Sequence, residues 1–153
     1  YHENTVTCNG FSKSYAMTGW RLGSAIGPAK IIDEMMKLQQ YTYICAPSFA
    51  QVAGVKAMDI NMDAYVEDYR KKRDFVCDGL KESYKLIKPD GAFYAFPQVP
   101  WGTDEEFVTE AIKHDLLIIP GSVFSEKKTH FRISYAATFD TLGRGIEILN
   151  SIA

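Results

Sequence analysis

The chain has 153 residues, 46% of them hydrophobic and 13% aromatic, and a formal charge of -2. That length supports one domain or parts of two, and the composition is that of a chain with a packed core rather than a disordered one. The near balance of charge excludes an overall basic field for nucleic acid and an acidic tail for a basic partner.

The chain opens on polar residues, Tyr1-His2-Glu3-Asn4, which make no secretory leader. The first residue is not Met, so the chain is expected to start inside a longer reading frame or to have been processed. Thr5-Val6-Thr7-Cys8 is short and β-branched and reads as a strand, with Asn9-Gly10 as the turn that ends it. Arg21 to Gly27 reads as a second strand whose small residues suggest close packing on a neighbour. Pro28 suits the first turn of a helix carrying Ile31, Ile32, Met35 and Met36 at helical spacing. Pro47 ends that pattern, and Ser48 is the expected cap of a helix containing Phe49, Val52, Ala53 and Val55.

Asp63 is the expected cap of a long helix reaching about Tyr84, with Val66, Tyr69, Val76 and Leu80 as its apolar stripe. The basic run Arg70-Lys71-Lys72-Arg73 lies inside it among Glu67, Asp68 and Asp74, and reads as a solvated face. Lys85 to Lys88 and Ala92 to Phe96 read as strands around the turn Pro89-Asp90-Gly91. Thr103 and Glu106 form a capping box ahead of Phe107, Val108, Ala111 and Ile112. Leu116 to Ile119 reads as a short buried strand. In Phe131-Arg132-Ile133-Ser134-Tyr135, alternation puts Arg132 and Ser134 on the face opposite Phe131, Ile133 and Tyr135. Leu142, Ile146, Leu149 and Ile152 mark a last helix.

Strands and helices alternate, so the class is α/β, with a junction expected near Asn61-Met62-Asp63. Three cysteines, Cys8, Cys45 and Cys77, lie far apart. They make neither a metal spacing nor an even disulfide set, so no metal site is expected and a reducing cytoplasm fits. No apolar run is long enough to span a membrane, so no membrane partner is expected.

The chemically informative stretch is Asn9 to Gly23. Lys13 sits in a polar loop between Ser12 and Ser14, and Arg21 follows eight residues later after Thr18-Gly19-Trp20. A lone loop lysine is ordinarily solvated, and a lone arginine is ordinarily an ion-pair partner. Together they suggest more. An amine that loses its proton attacks an aldehyde to form an imine, and a guanidinium grips a phosphate with two parallel donors. Gly19 and Gly23 let backbone approach closely on either side. Pyridoxal phosphate is one aldehyde that also carries a phosphate.

The segment resembles the signature S-K-x-x-x-x-x-G-x-R-x-G of fold-type I pyridoxal-phosphate aminotransferases, with Ser12, Lys13, Gly19, Arg21 and Gly23 in register. Ala16-Met17-Thr18-Gly19-Trp20-Arg21 is similar to the aspartate and aromatic aminotransferase subgroup. The resemblance implies that Lys13 is the Schiff-base and catalytic lysine and that Arg21, with Ser12, binds the cofactor phosphate. One departure is Gly10, where many relatives carry a serine that also touches phosphate. Phe131 to Ala136 resembles the family strand whose arginine binds the substrate α-carboxylate, which implies that role for Arg132; by itself Arg132 reads as an edge-strand charge. Gly91 to Tyr94 and Pro120 to Phe124 resemble cleft-lining segments, but Tyr94 and Phe124 read as ordinary core aromatics.

The resemblance covers essentially the whole chain. It implies residues 1–62 as the end of a large cofactor-binding domain and residues 63–153 as a small C-terminal domain. It implies amino transfer between an L-amino acid and a 2-oxo acid, in a homodimer. Only twelve residues precede Lys13. The family's groups for the pyridine ring are therefore expected to lie outside this chain, leaving it incomplete and inactive by itself. A carbon-sulfur lyase on the same scaffold would share Lys13, Arg21 and Arg132. An aminotransferase-like effector domain of a transcription regulator is the other alternative, disfavoured by the eight-residue step from Lys13 to Arg21.

Overall fold

A computed structural model describes residues 2–153. The chain divides into two compact units, 1–62 and 63–153, and each is a mixture of helices and antiparallel strands.

In the first unit β1 (Thr7–Gly10) pairs antiparallel with β2 (Gly23–Ile26), Gly10 opposite Gly23. Asn9-Gly10 was expected to turn the chain, but both residues continue the ladder. The reason is the facing glycine: a Cβ on Gly23 would lie 2.9 Å from the Asn9 carbonyl oxygen, so only glycine admits this approach. Arg21, expected inside the second strand, lies outside it because its φ of 50° is left-handed. The ribbon encloses the short α1 (Phe11–Ser14) and a 3-10 turn, Thr18–Trp20. Then come α2 (Ala29–Thr42), with Pro28 just before it, and α3 (Ser48–Ala57). Pro47 is the residue that caps α3, and Ser48 is its first helical residue, a correction to the expected serine cap. The unit's core is small: Met17, Leu22 and Ala57, with Phe11, Tyr15, Ala46 and Ala53 against them.

The second unit starts with α4 (Asp63–Leu80), which stops short of Tyr84. Val76 and Leu80 are buried as expected, whereas Val66 is exposed. Lys85 to Lys88 is not a strand, although the Lys85 carbonyl accepts the Gln98 amide at 2.9 Å. The sheet has three antiparallel strands in the order β3 (Tyr94–Ala95), β5 (Phe131–Ser134), β4 (Ile119–Pro120). Of the stretch 116–119, only Ile119 pairs and only Ile118 is buried; Leu117 is 85% exposed. Before β4 lies α5 (Asp104–Lys113), whose Thr103–Glu106 capping box forms in both directions. The chain closes with α6 (Phe139–Ser151), which buries Leu142 and Leu149. The core joins Val76, Leu80 and Tyr84 to Phe107, Ala111, Phe131, Tyr135 and Leu149. Its aromatic rings meet edge to face, Tyr84 on both Phe107 and Phe131, a geometry that gains beyond area alone.

Candidate functional site

The first cluster grows from the ribbon of the first unit. Paired strands fix both ends of residues 11–22, and the Phe11 amide donates to the Leu22 carbonyl at 3.1 Å, closing the loop. Below it Leu22 packs so closely on α3 that a Cβ on Gly54 would come within 2.4 Å of it. Phe11 and Tyr15 stack at 5.3 Å. The polar residues on top therefore stand on a firm floor. Left-handed φ values at Ala16 and Arg21 turn the chain back between α1 and β2. Such conformations are unfavourable for residues with a Cβ, and they persist where the surroundings impose them.

That turn brings Arg21 over α1. Its Nη1 donates to the Thr18 carbonyl at 2.8 Å and reaches the Ser12 hydroxyl at 3.5 Å. Ser12 and Arg21, nine residues apart, thus converge, and exposed Lys13 is the neighbour of Ser12. A guanidinium and a hydroxyl side by side are donors suited to a phosphate, and the adjacent amine is a nucleophile suited to an aldehyde. The space beside Gly10 is open, with nothing within 4 Å of a Cβ built there. The donor set therefore suits a group that carries both a phosphate and a carbonyl.

The second cluster lies in the other unit. Arg132 is on β5, the middle strand, opposite Ile119. Its guanidinium lies between two aromatic rings, 4.4 Å from the Tyr94 centroid and 4.3 Å from that of Phe124. Cation–π attraction to both rings holds the planar head, and its N–H groups suit a carboxylate. Tyr94 and Phe124 are accordingly not core residues: Tyr94 is half-buried and Phe124 is 50% exposed. Alternation in the sequence gives the face of Arg132; the resemblance of Gly91 to Tyr94 and Pro120 to Phe124 to cleft-lining segments was the one signal for the two aromatics beside it.

Among the described residues no group of three or more His, Cys, Asp or Glu could hold a metal ion. Among the described residues, too, no helix is long and apolar enough to cross a membrane.

The chain is similar to known proteins along nearly its whole length. The family model "Aminotransferase class I and II" matches residues 1–149. A probable aspartate aminotransferase of Methanocaldococcus jannaschii is 34% identical over 99% of this chain and 44% of its own length. An aspartate aminotransferase of Pyrococcus horikoshii is 37% identical over 98% of this chain and 40% of its own. Among solved structures, the aspartate aminotransferase of Thermotoga maritima superposes with a TM-score of 0.93 at 32% identity, covering 98% of this chain and 40% of that one. The chain thus spans about two fifths of the length of these relatives. Over nearly its whole length, the chain belongs to the class I and II aminotransferase family.

Proposed function

We propose that this chain is part of a pyridoxal-phosphate-dependent transaminase that moves an amino group between an L-amino acid and a 2-oxo acid. The convergence of Arg21 and Ser12 beside Lys13 carries the reading. Arg21 and Ser12 hold the phosphate, the guanidinium through charge and the hydroxyl through a hydrogen bond. Lys13 Nζ would hold the cofactor and would serve as the base that takes the proton from the substrate α-carbon. Arg132 grips the substrate α-carboxylate. Bound pyridoxal phosphate supplies the electron sink for the deprotonated carbon.

Residues 1–62 are then the end of the large cofactor-binding domain and 63–153 the small C-terminal domain. The division of the chain at Met62 supports this. The exposed apolar side chains of α2, Met35, Met36 and Leu38, support coverage of the first unit by further chain and a homodimeric enzyme. Three free cysteines suit a reducing cytoplasm.

Borohydride reduction of the cofactor-loaded protein that carries this chain, followed by peptide mapping, tests the assignment. The label is expected on the peptide containing Lys13, and label confined to another lysine would overturn it.

A further inference from the structure

Phe124 is half exposed and sits in a loop, yet it covers one face of Arg132. Something must hold that loop. The 3-10 turn Gly121–Val123 follows β4, and the Phe124 amide closes it on the Gly121 carbonyl at 2.8 Å. The Gly121 amide donates to the His130 carbonyl at 2.8 Å. The remaining anchor is Asp104, the first residue of α5, which is fully buried. Its Oδ2 accepts from the Ser122 amide at 2.7 Å, while its own amide donates to the Lys128 carbonyl at 3.1 Å. One residue therefore holds the loop on both sides of Phe124. Its neighbour Glu105 adds an ion pair to Lys128 at 3.0 Å.

A buried carboxylate is unfavourable unless its charge is met by donors. Thr103, not Asp104, is the residue that caps α5, receiving the Glu106 amide. Oδ1 of Asp104 is enclosed without a hydrogen-bond partner among the described residues. Burial acts to raise the Asp104 pKa, but hydrogen bonds from Ser122 and from the amides at the head of α5 outweigh it. The group stays below the ordinary carboxylate range and is charged at neutral pH.

We propose that Asp104 is a positioning residue for Arg132: by holding the loop at Ser122 and Lys128 it keeps the Phe124 ring on the guanidinium and so fixes the plane that meets the substrate carboxylate. This rests on the reading of Arg132 as the carboxylate clamp.

The test uses the protein that carries this chain, with the best amino donor among L-aspartate, L-phenylalanine and L-alanine. Arg132→Ala comes first. If it does not raise the donor KM, the clamp reading fails, and this proposal with it. Where it does, Asp104→Ala and Phe124→Leu should raise the donor KM roughly five- to tenfold, and Asp104→Asn about threefold, with kcat changed less than about twofold. Cofactor affinity, which belongs to the Lys13 cluster, should stay constant. Each rise should vanish in an Arg132→Ala background, because the effect passes through that guanidinium. A merely structural Asp104 would lower stability and leave KM alone, or would shift KM equally with and without Arg132; either result overturns the proposal while the clamp stands. If Asp104→Ala does not fold, Asp104→Asn and Phe124→Leu decide. An unchanged KM in either, or additivity with Arg132→Ala, is then the refuting outcome.

Discussion

The two units carry comparable amphipathic helices and bury them very differently. In the first, α2 has Ile31, Met35, Met36 and Leu38 at helical spacing, and they are 44%, 41%, 50% and 66% exposed. In the second, Leu142 and Leu149 of α6 are 6% and 2% exposed. The first unit seats its lysine–arginine cluster on a small core around Met17 and Leu22; the second seats Arg132 on a larger core that joins aliphatic and aromatic side chains. An apolar stripe therefore predicts a helix but not its partner. Helical periodicity is a property of the segment, whereas burial belongs to whatever packs against it.

The proposed chemistry gives the largest expected contrast between the units. Lys13→Ala should cut turnover of the loaded enzyme by roughly a hundred- to ten-thousandfold, the usual range for a lost acid-base group, with the fold unchanged. Far-UV circular dichroism beside a coupled transaminase assay checks this, and retained turnover would move the chemistry away from the first unit.

Stability should show the opposite ranking. Phe107 is fully buried against Tyr84, Trp101 and Phe131, so Phe107→Ala should cost about 3–5 kcal/mol. Met36→Ala on the open face of α2 should stay within about 0.5 kcal/mol in this chain. Urea unfolding of both variants measures the gap. A comparable loss at Met36 would mean that α2 is covered in solution.

The two arginines sharpen the contrast further. Arg21→Ala should weaken pyridoxal phosphate and Arg132→Ala the amino acid, each roughly ten- to a hundredfold, with little crossover. Cofactor titration beside donor KM separates them. Equal effects of both changes on both ligands would erase the assignment of phosphate to one unit and carboxylate to the other.

The smallest effect concerns acid. Hydrogen bonds from Arg73 and Lys88 hold the Asp74 pKa down, from 3.8 to about 2. A carboxylate with a depressed folded-state pKa contributes stability that is full above its unfolded value and lost as pH falls through the folded one. The contribution should therefore fade between pH 3.8 and about 2. Asp74→Asn should flatten that limb of the melting temperature against pH; an unchanged limb would show that the exposed pairs are screened.

Much of the molecule was legible from its residues because the information is local. The capping box of Thr103 and Glu106, the stripe of α6 and the face of Arg132 on β5 each depend on positions a few residues apart. The segment that carries Ser12, Lys13 and Arg21 was visible, but Ser12 and Lys13 lie in the short helix α1 rather than in the expected loop. Other features depend on distant partners. Asn9-Gly10 continues a strand because Gly23 stands opposite, and Lys85 to Lys88 forms no strand although its composition suits one. Tyr94 and Phe124 reach Arg132 from segments 38 and 8 residues away, figures that follow from their numbering. The grip of Asp104 on Ser122 spans 18 residues. By itself the sequence determined the periodic helices and the capped helix start, because short-range sterics and hydrogen bonding suffice for those. Only the tertiary structure decided which apolar faces were buried, which rings enclosed Arg132 and which carboxylate held its loop, because those contacts depend on where the chain brings remote residues into van der Waals and hydrogen-bonding range.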